Sequence, residues 1–141
     1  MGFFSRILGI SKTKPPENPE SWRYQDGRIR IDLDRTPELS AQGGAIRLEG
    51  GDLPCRVLVV HGRDGQYHAF LNKCTHMGRR LDPLPGQPHI QCCSVSKTTY
   101  EYDGRVISGA GKSDASTFSV EQQGNELLIP LGRSEGAGPA G

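Results

Sequence analysis

The sequence has few of the features that mark membrane-spanning, nucleic-acid-binding or long-helical proteins. Among its 141 residues, 34% are hydrophobic and 6% aromatic, and no apolar run approaches the roughly 20 residues that cross a bilayer. The formal net charge is only +1, and no basic stripe with interleaved aromatics is present, so nucleic acid is not a predicted partner. These absences favour one globular domain.

The first twelve residues, MGFFSRILGISK, are apolar but interrupted by Arg6. They lack the hydrophobic region and the small-residue cleavage site of a secretory signal peptide. Arg6 also occupies the position where a myristoylation motif requires Ser or Thr. We therefore predict a frayed N-terminal segment without a stable membrane anchor, and a cytoplasmic location.

Glycine and proline are abundant, with 19 and 10 residues, and this composition favours short strands joined by turns. About nine short strands are predicted between residues 22 and 131, several of them joined by Asp-Gly pairs typical of hairpin turns. In the first hairpin, Ile29, Ile31 and Leu33 alternate with polar residues, which is the pattern of a strand with one buried face. The pattern predicts an all-β antiparallel sandwich or barrel.

The predicted domain runs from residue 22 to residue 132. Residues 1–21 are interpreted as an N-terminal segment and Pro-rich linker, partly disordered, and residues 133–141 as a disordered tail. Inside the domain, the stretch 72–88 is predicted as a loop with a functional role, because it contains three prolines and is long for a connection. A single strand is predicted over residues 118–122.

The cysteines are few, and three of the four lie close together in the sequence with a histidine. In a reducing cytoplasm, clustered Cys and His residues indicate a metal site more often than a disulfide. Cys74 and His76 stand two residues apart in a loop after a strand, and Cys93 follows seventeen residues after His76, directly after Cys92. Two such loops facing each other would hold a small metal centre at the tip of the domain. Cys55 is predicted to be a small core residue.

This arrangement resembles the Rieske 2Fe-2S family, whose pattern is Cys-x-His-x-Gly-x-x-Leu, a spacer, then Cys-x-x-His and an aromatic residue. The first half of the pattern matches in its residues, the second half matches in its spacing, and the resemblance extends over most of the chain. The matching residues are Cys74, His76, Gly78, Leu81, Cys93, Tyr100, Asp103, Gly104 and Arg105.

The resemblance implies a Rieske-like antiparallel β-sandwich with an inserted, loop-rich cluster-binding subdomain at about 73–111. It also implies that Cys74 and Cys93 bind one iron of a 2Fe-2S cluster and that His76 binds the other. Gly78 would let backbone N–H groups approach a bound sulfide. The function implied is that of a ferredoxin-like electron carrier or an accessory component of an oxidoreductase system. The sequence shows no recognisable substrate pocket of the kind that would indicate a stand-alone enzyme.

The second half of the pattern departs from the family at a ligand position. Ser96 stands where the second histidine is expected, and Lys97 stands where glycine is usual. A serine hydroxyl is a poor iron ligand, so a cluster is expected to be labile, lower in potential or absent. Cys92 is a candidate replacement, because three cysteines and one histidine hold 2Fe-2S clusters in other folds. Adjacent strand residues point to opposite faces, so we expect that Cys92 would need a bulge or turn to reach the site.

Three interpretations of the site therefore stay open. The first is a 2Fe-2S cluster completed by Ser96 or Cys92. The second is a cluster-free domain in which Cys74, His76, Cys92 and Cys93 bind nothing, and which would act as a module that binds a protein or a small anion at the same tip. The third is a zinc site on Cys74, His76 and Cys93 with Cys92 or water as the fourth ligand.

The charge of the predicted loop region indicates which kind of redox partner the chain would bind. Between residues 73 and 112 the sequence has more basic than acidic residues, so a tip formed by these loops would be positive. A positive tip favours docking to an acidic redox partner protein. The basic residues are Lys73, Arg79, Arg80, Lys97, Arg105 and Lys112.

Overall fold

The computed structural model of the chain describes residues 11–75, 78–94, 97–109 and 113–131, which form an almost entirely β structure. Within these residues lie twelve short strands and three single-turn 3-10 helices, the latter at Pro19–Ser21, Leu33–Arg35 and Pro37–Leu39. The strands are β1 (Trp22–Gln25), β2 (Arg28–Asp32), β3 (Ala45–Leu48), β4 (Val57–His61), β5 (Tyr67–Leu71), β6 (Leu81–Pro83), β7 (His89–Cys92), β8 (Thr99–Glu101), β9 (Val106–Ser108), β10 (Thr117–Phe118), β11 (Glu121–Gln123) and β12 (Glu126–Pro130).

The strands form three four-stranded sheets in which neighbouring strands run antiparallel. The first sheet has the order β1-β2-β12-β11, the second β10-β5-β4-β3, and the third β6-β7-β8-β9. The third sheet is inserted in the chain between β5 and β10, which are neighbours in the second sheet. The predicted all-β antiparallel fold is therefore confirmed.

The turn between β1 and β2 has the geometry that the sequence predicts. Asp26 and Gly27 have φ angles of 55° and 76°. Positive φ at both central residues is the mark of a type I′ turn, whose twist matches that of the strands it joins. The hairpin then presents Ile29 and Ile31, both fully buried, to one side of the first sheet.

The first core lies between the first and second sheets and brings together the alternating apolar residues of both. Its burial is the main driving force for pairing the sheets, since each buried aliphatic side chain contributes about 1.5–3 kcal/mol. The core consists of Ile29, Ile31, Leu127, Ile129 and Leu131 with Leu39, Ile46, Leu48, Val57, Val59 and Ala69.

The second sheet is buried on both faces. Four consecutive residues of β4 are 0% exposed: Val57 and Val59 belong to the first core, and Leu58 and Val60 belong to a second core. This burial explains why β4 has a continuous apolar run instead of an alternating pattern. The second core also contains Phe70, Cys74, Leu81, Ile90, Cys92, Tyr100 and Ala115.

Two regions differ from the sequence prediction. The stretch 72–88 contains a strand, β6, that ends at Pro83; proline has no N–H for a sheet, but β6 is an edge strand, where proline is tolerated. The strand predicted over 118–122 is two strands, because the chain leaves the second sheet after Phe118 and enters the first sheet at Glu121.

The segment 11–21, predicted as a linker, contacts the third sheet. The Asp82 carboxylate accepts a hydrogen bond from the Ser11 hydroxyl at 2.8 Å and from the backbone N–H groups of Lys12 and Thr13, each at 2.9 Å. These bonds satisfy a carboxylate whose residue is only 9% exposed.

The two chain ends predicted to be frayed or disordered, residues 1–10 and 133–141, lie outside the described residues. In the part of the chain that is described, every helix is too short to traverse a bilayer.

Candidate metal centre

Two loops lie side by side beyond the ends of β5 and β7. The first loop comprises the described residues 72–75 and 78–80 and carries Cys74; the second comprises the described residues 93–94 and 97–98 and begins with Cys93. The Cys93 N–H donates to the Arg80 carbonyl at 3.0 Å, which joins the end of the first loop to the start of the second. The described parts of the two motifs are therefore adjacent.

The first loop folds back on itself around Cys74. The Cys74 N–H donates to the Arg79 carbonyl at 2.7 Å, and the Gly78 N–H donates to the Cys74 carbonyl at 2.9 Å. Gly78 has a φ of 73°, and an added Cβ would meet only the Lys73 side chain, at 3.7 Å. Glycine is thus favoured by the backbone angle. The N–H of Gly78 itself donates within the loop, so any N–H groups that this glycine lets approach a bound sulfide belong to its neighbours.

Tyr100 connects the first loop to the third sheet. Its hydroxyl lies 3.7 Å from the Cys74 Sγ atom, to which it can donate, and it accepts a hydrogen bond from the Thr75 N–H at 2.9 Å. Tyr100 is fully buried, and burial raises the pKa of its hydroxyl above the usual value. The neutral phenol is therefore retained as a hydrogen-bond donor beside the sulfur.

Cys92 is buried against Cys74. In the β6-β7 ladder Cys92 pairs with Leu81, and alternation along β7 places Cys92 on the buried face. Its side chain shares a hydrogen bond with the Ser94 hydroxyl at 3.1 Å and another with the Cys74 thiol. Burial raises the pKa of the Cys92 thiol, and the contact with Cys74 raises it further. Cys92 contacts Cys74 from a regular strand, because the first loop covers this face; that it would need a bulge or turn to bind a metal stays a prediction.

Cys93 lies among charged groups. It is 4% exposed, and burial raises the pKa of its thiol, with further contributions from Cys92 and Asp82. The Arg79 cation acts in the opposite direction, and Cys93 in turn raises the pKa of the neighbouring Arg80. Two guanidinium groups close to this sulfur would stabilise a thiolate once a metal had displaced its proton.

The second loop contains a backbone angle that explains why glycine is usual in the family at the position of Lys97. It is closed by the Cys92 N–H, which donates to the Thr98 carbonyl at 2.8 Å, and by the Lys97 N–H, which donates to the Ser94 carbonyl at 3.2 Å. Lys97 has a φ of 53°, in the left-handed region where glycine is favoured. The loop thus has the shape for which glycine is suited, although lysine occupies the position.

A third segment, which follows β9, packs closely on the second loop. Gly109 has a φ of 98°, and an added Cβ would lie 2.3 Å from the Thr98 Cα atom. No side chain fits at that distance, so only glycine permits the approach. This contact could not be predicted from the sequence, because it joins residues far apart in the motif.

Two of the predicted site residues, His76 and Ser96, lie outside the described residues. Within the described ranges, no group of three or more His, Cys, Asp or Glu side chains is arranged to hold a metal ion. The other three histidines have different contacts: His61 Nδ1 lies 2.8 Å from the Leu39 carbonyl, His68 Nε2 lies 2.9 Å from Asp64, and His89 Nδ1 lies 3.4 Å from Gln87 Oε1.

The geometry described so far is that of an antiparallel β protein in which the loop thiol of Cys74 contacts the strand thiol of Cys92 beside a tyrosine hydroxyl. It defines a class of small β domains suited to a sulfur-ligated metal cofactor. The family model for the Rieske [2Fe-2S] domain matches residues 31–119, which is more than half of the chain. The chain therefore belongs to the Rieske [2Fe-2S] domain family.

Similar sequences occur in oxygenase subunits of two bacteria. The chain is 38% identical over 90 residues to the glycine betaine monooxygenase oxygenase subunit of Pseudomonas aeruginosa (strain UCBPP-PA14), and 36% identical over 90 residues to the protein of the same name from Chromohalobacter salexigens. Each match covers 63% of this chain and 20% of the relative. The chain thus spans about a fifth of the length of these curated relatives.

Solved structures share the fold at low sequence identity. A chain of the complex of reduced oxygenase and oxidized ferredoxin in carbazole 1,9a-dioxygenase matches with a TM-score of 0.62 and 16% identity, covering 79% of this chain and 99% of that one. The apo quaternary ammonium Rieske monooxygenase CntA matches with a TM-score of 0.55 and 19% identity, covering 70% of this chain and 32% of that one.

Two of the described side chains have the chemistry of the 2Fe-2S ligands that the family pattern implies. Cys74 and Cys93 are buried sulfur donors, and the Tyr100 hydroxyl can donate to the first of them. Among the described residues, the buried Nδ2 atom of Asn72 has no hydrogen-bond partner, and an unpaired buried donor costs about 1–3 kcal/mol. An acceptor bound near this loop, such as a sulfide, would relieve that cost.

Proposed function

We propose that the chain is a Rieske-type 2Fe-2S, ferredoxin-like electron-transfer protein with an altered ligand set. The observation that carries this proposal is the buried contact between the Cys74 and Cys92 thiols. It places a third thiol beside a predicted cluster ligand, in a chain whose sequence has lost a histidine from the second motif.

In this proposal Cys74 and Cys93 hold one iron, His76 holds the other, and Ser96 or Cys92 completes the set. Cys92 is favoured, because a serine hydroxyl resists deprotonation whereas the Cys92 thiol already contacts Cys74. When bound, the cluster supplies one-electron chemistry at a potential set by ligand type, charge and hydrogen bonds to sulfur.

Residues around the thiols adjust this chemistry. A hydrogen bond from Tyr100 to the Cys74 sulfur withdraws electron density and favours the reduced state. Arg79 and Arg80 place positive charge near Cys93, and this charge has the same effect.

The proposal makes the chain an electron carrier or an accessory component of an oxidoreductase system that works in the cytoplasm with a redox partner protein. The oxygenase names of its relatives support a role in a redox system. Lys73, Lys97 and Arg105 are exposed on and near the loops and favour an acidic partner.

The test is the metal content of anaerobically purified protein. Iron, acid-labile sulfide and zinc are measured in the wild type together with Ser96→His, Cys92→Ser and Cys55→Ser, and the visible and electron paramagnetic resonance spectra are recorded. Cys55→Ser is the matched control, because Cys55 is only partly buried and packs against the first core.

The wild type is expected to be coloured and to contain iron and sulfide in equal amounts. Cys92→Ser should lose most of both, while Cys55→Ser keeps them and Ser96→His keeps them at a higher potential. An equal iron content in Cys92→Ser and the wild type would show that Cys92 is not a cluster ligand. Absence of iron from both the wild type and Ser96→His would refute the electron-transfer proposal.

A second candidate is a cluster-free or zinc-binding Rieske-fold module that binds a protein or an anion at the same tip. Two residues favour it: Ser96 replaces a ligand, and Lys97 adds an exposed cation to the second loop. Colourless protein with about one zinc per chain, or with no metal, would support this candidate.

A further inference from the structure

The first loop is held by a scaffold side chain on both sides of Cys74. Arg56, which directly precedes β4, donates from Nε and Nη2 to the Asn72 carbonyl at 3.1 Å and 3.0 Å. Its Nη2 atom also donates to the Gly78 carbonyl at 2.7 Å. One guanidinium therefore binds the chain two residues before Cys74 and four residues after it.

Two more side chains fix the same loop. Asn72 is fully buried, and its Oδ1 atom accepts a hydrogen bond from the Leu81 N–H at 2.7 Å, which ties the two ends of the loop together. Arg80 donates from Nε and Nη2 to the two carboxylate oxygens of Glu49, next to β3. A bidentate pair of this kind sets orientation as well as energy. These contacts restrain the described residues at both ends of the loop.

We propose that Arg56 is a positioning residue that holds the first loop in its cofactor-binding conformation before any metal arrives. The planar guanidinium carries donors in a rigid fork, so it can bind two carbonyl groups at once. A lysine ammonium is a compact point charge without that fork. The binding of a cofactor by this loop rests on the proposed function. The restraint of the loop by Arg56 does not depend on that function.

The test compares hydrogen exchange in Arg56→Met with exchange in the wild type, on the full chain as purified. Arg56→Met keeps a long side chain and removes every donor. Amides of the first loop, where Cys74 and Gly78 donate to carbonyls, should exchange at least tenfold faster. Peptides from β2 and β12 in the first core should keep their rates, because the opening is local.

Two further variants make the test specific. Arg30→Met is the matched control, because Arg30 pairs with Glu126 at 3.0 Å in the first sheet, and it should leave exchange of the first loop unchanged. Arg56→Lys should recover less than half of the lost protection, because an ammonium cannot reproduce the fork. If Arg56→Met fails to fold, Arg56→Lys is compared with the wild type in its place.

The proposal is overturned if loop and core peptides accelerate together, if the loop is unaffected, or if Arg56→Lys restores full protection. Iron content of the same samples separates this result from the proposed function. Faster loop exchange in a protein without iron supports the positioning role and counts against the cluster, whereas unchanged loop exchange in an iron-containing protein refutes only the positioning role.

Discussion

Replacing Lys97 by glycine is predicted to stabilise the domain, even though the substitution removes a side chain. Lys97 has a φ of 53°, where a residue with a Cβ is disfavoured by about 1–2 kcal/mol. The side chain is exposed, so its loss opens no cavity. Glycine gives the unfolded chain more freedom, which offsets about 0.5–1 kcal/mol of the gain. The net increase in the free energy of unfolding is therefore roughly 0.5–1 kcal/mol.

The assay is urea unfolding of metal-free protein, because a bound metal would disturb the two-state analysis. The midpoint for Lys97→Gly should rise with an unchanged m-value. Lys73→Gly is the control, since Lys73 is an exposed lysine of the first loop whose φ is not positive. It should lose about 0.5–1 kcal/mol. Equal shifts in the two variants, or a lower midpoint for Lys97→Gly, would show that no left-handed strain is present at Lys97.

Two other substitutions test the packing and the charge around the loops. Gly109→Ala should lose about 2–4 kcal/mol in the same assay, because its φ of 98° and the 2.3 Å approach to the second loop exclude a Cβ; an unchanged midpoint would refute that approach. The hydrogen bond from Arg80 holds the pKa of Glu49 below its ordinary value of 4.5. A carboxyl group with a lowered pKa in the folded state stabilises the fold above its unfolded pKa, and this contribution is lost as the pH falls through the folded value. Glu49→Gln should therefore flatten the fall of the urea midpoint between about pH 5 and pH 3, and parallel pH profiles for variant and wild type would contradict this.

Local patterns were sufficient to predict most strands and the first hairpin. The alternation of Ile29 and Ile31 with arginines reflects a sheet with one buried face, and the Asp26-Gly27 pair has the positive φ angles of its turn type. These features depend on neighbours in the sequence, so they can be recognised without tertiary contacts.

Features that depend on distant contacts were missed. The residues of β6 were predicted as loop because they include Pro83. Proline is tolerated in an edge strand, but the sequence does not show that this strand lies at a sheet edge. The contact of Cys92 with Cys74 requires the first loop to cover the buried face of the third sheet, and alternation along β7 cannot reveal it. Arg56 gave no signal either, since its partners, Asn72 and Gly78, are 16 and 22 residues away.

Folding and cofactor binding are expected to be separable in this chain. Most of its buried apolar side chains lie in two cores between three sheets, and each contributes about 1.5–3 kcal/mol, whereas small zinc domains depend on their metal to fold. Serine at position 96 can therefore alter the ligand set without unfolding the domain. For this reason a folded protein is compatible with both proposed functions, and only iron, sulfide and colour distinguish them.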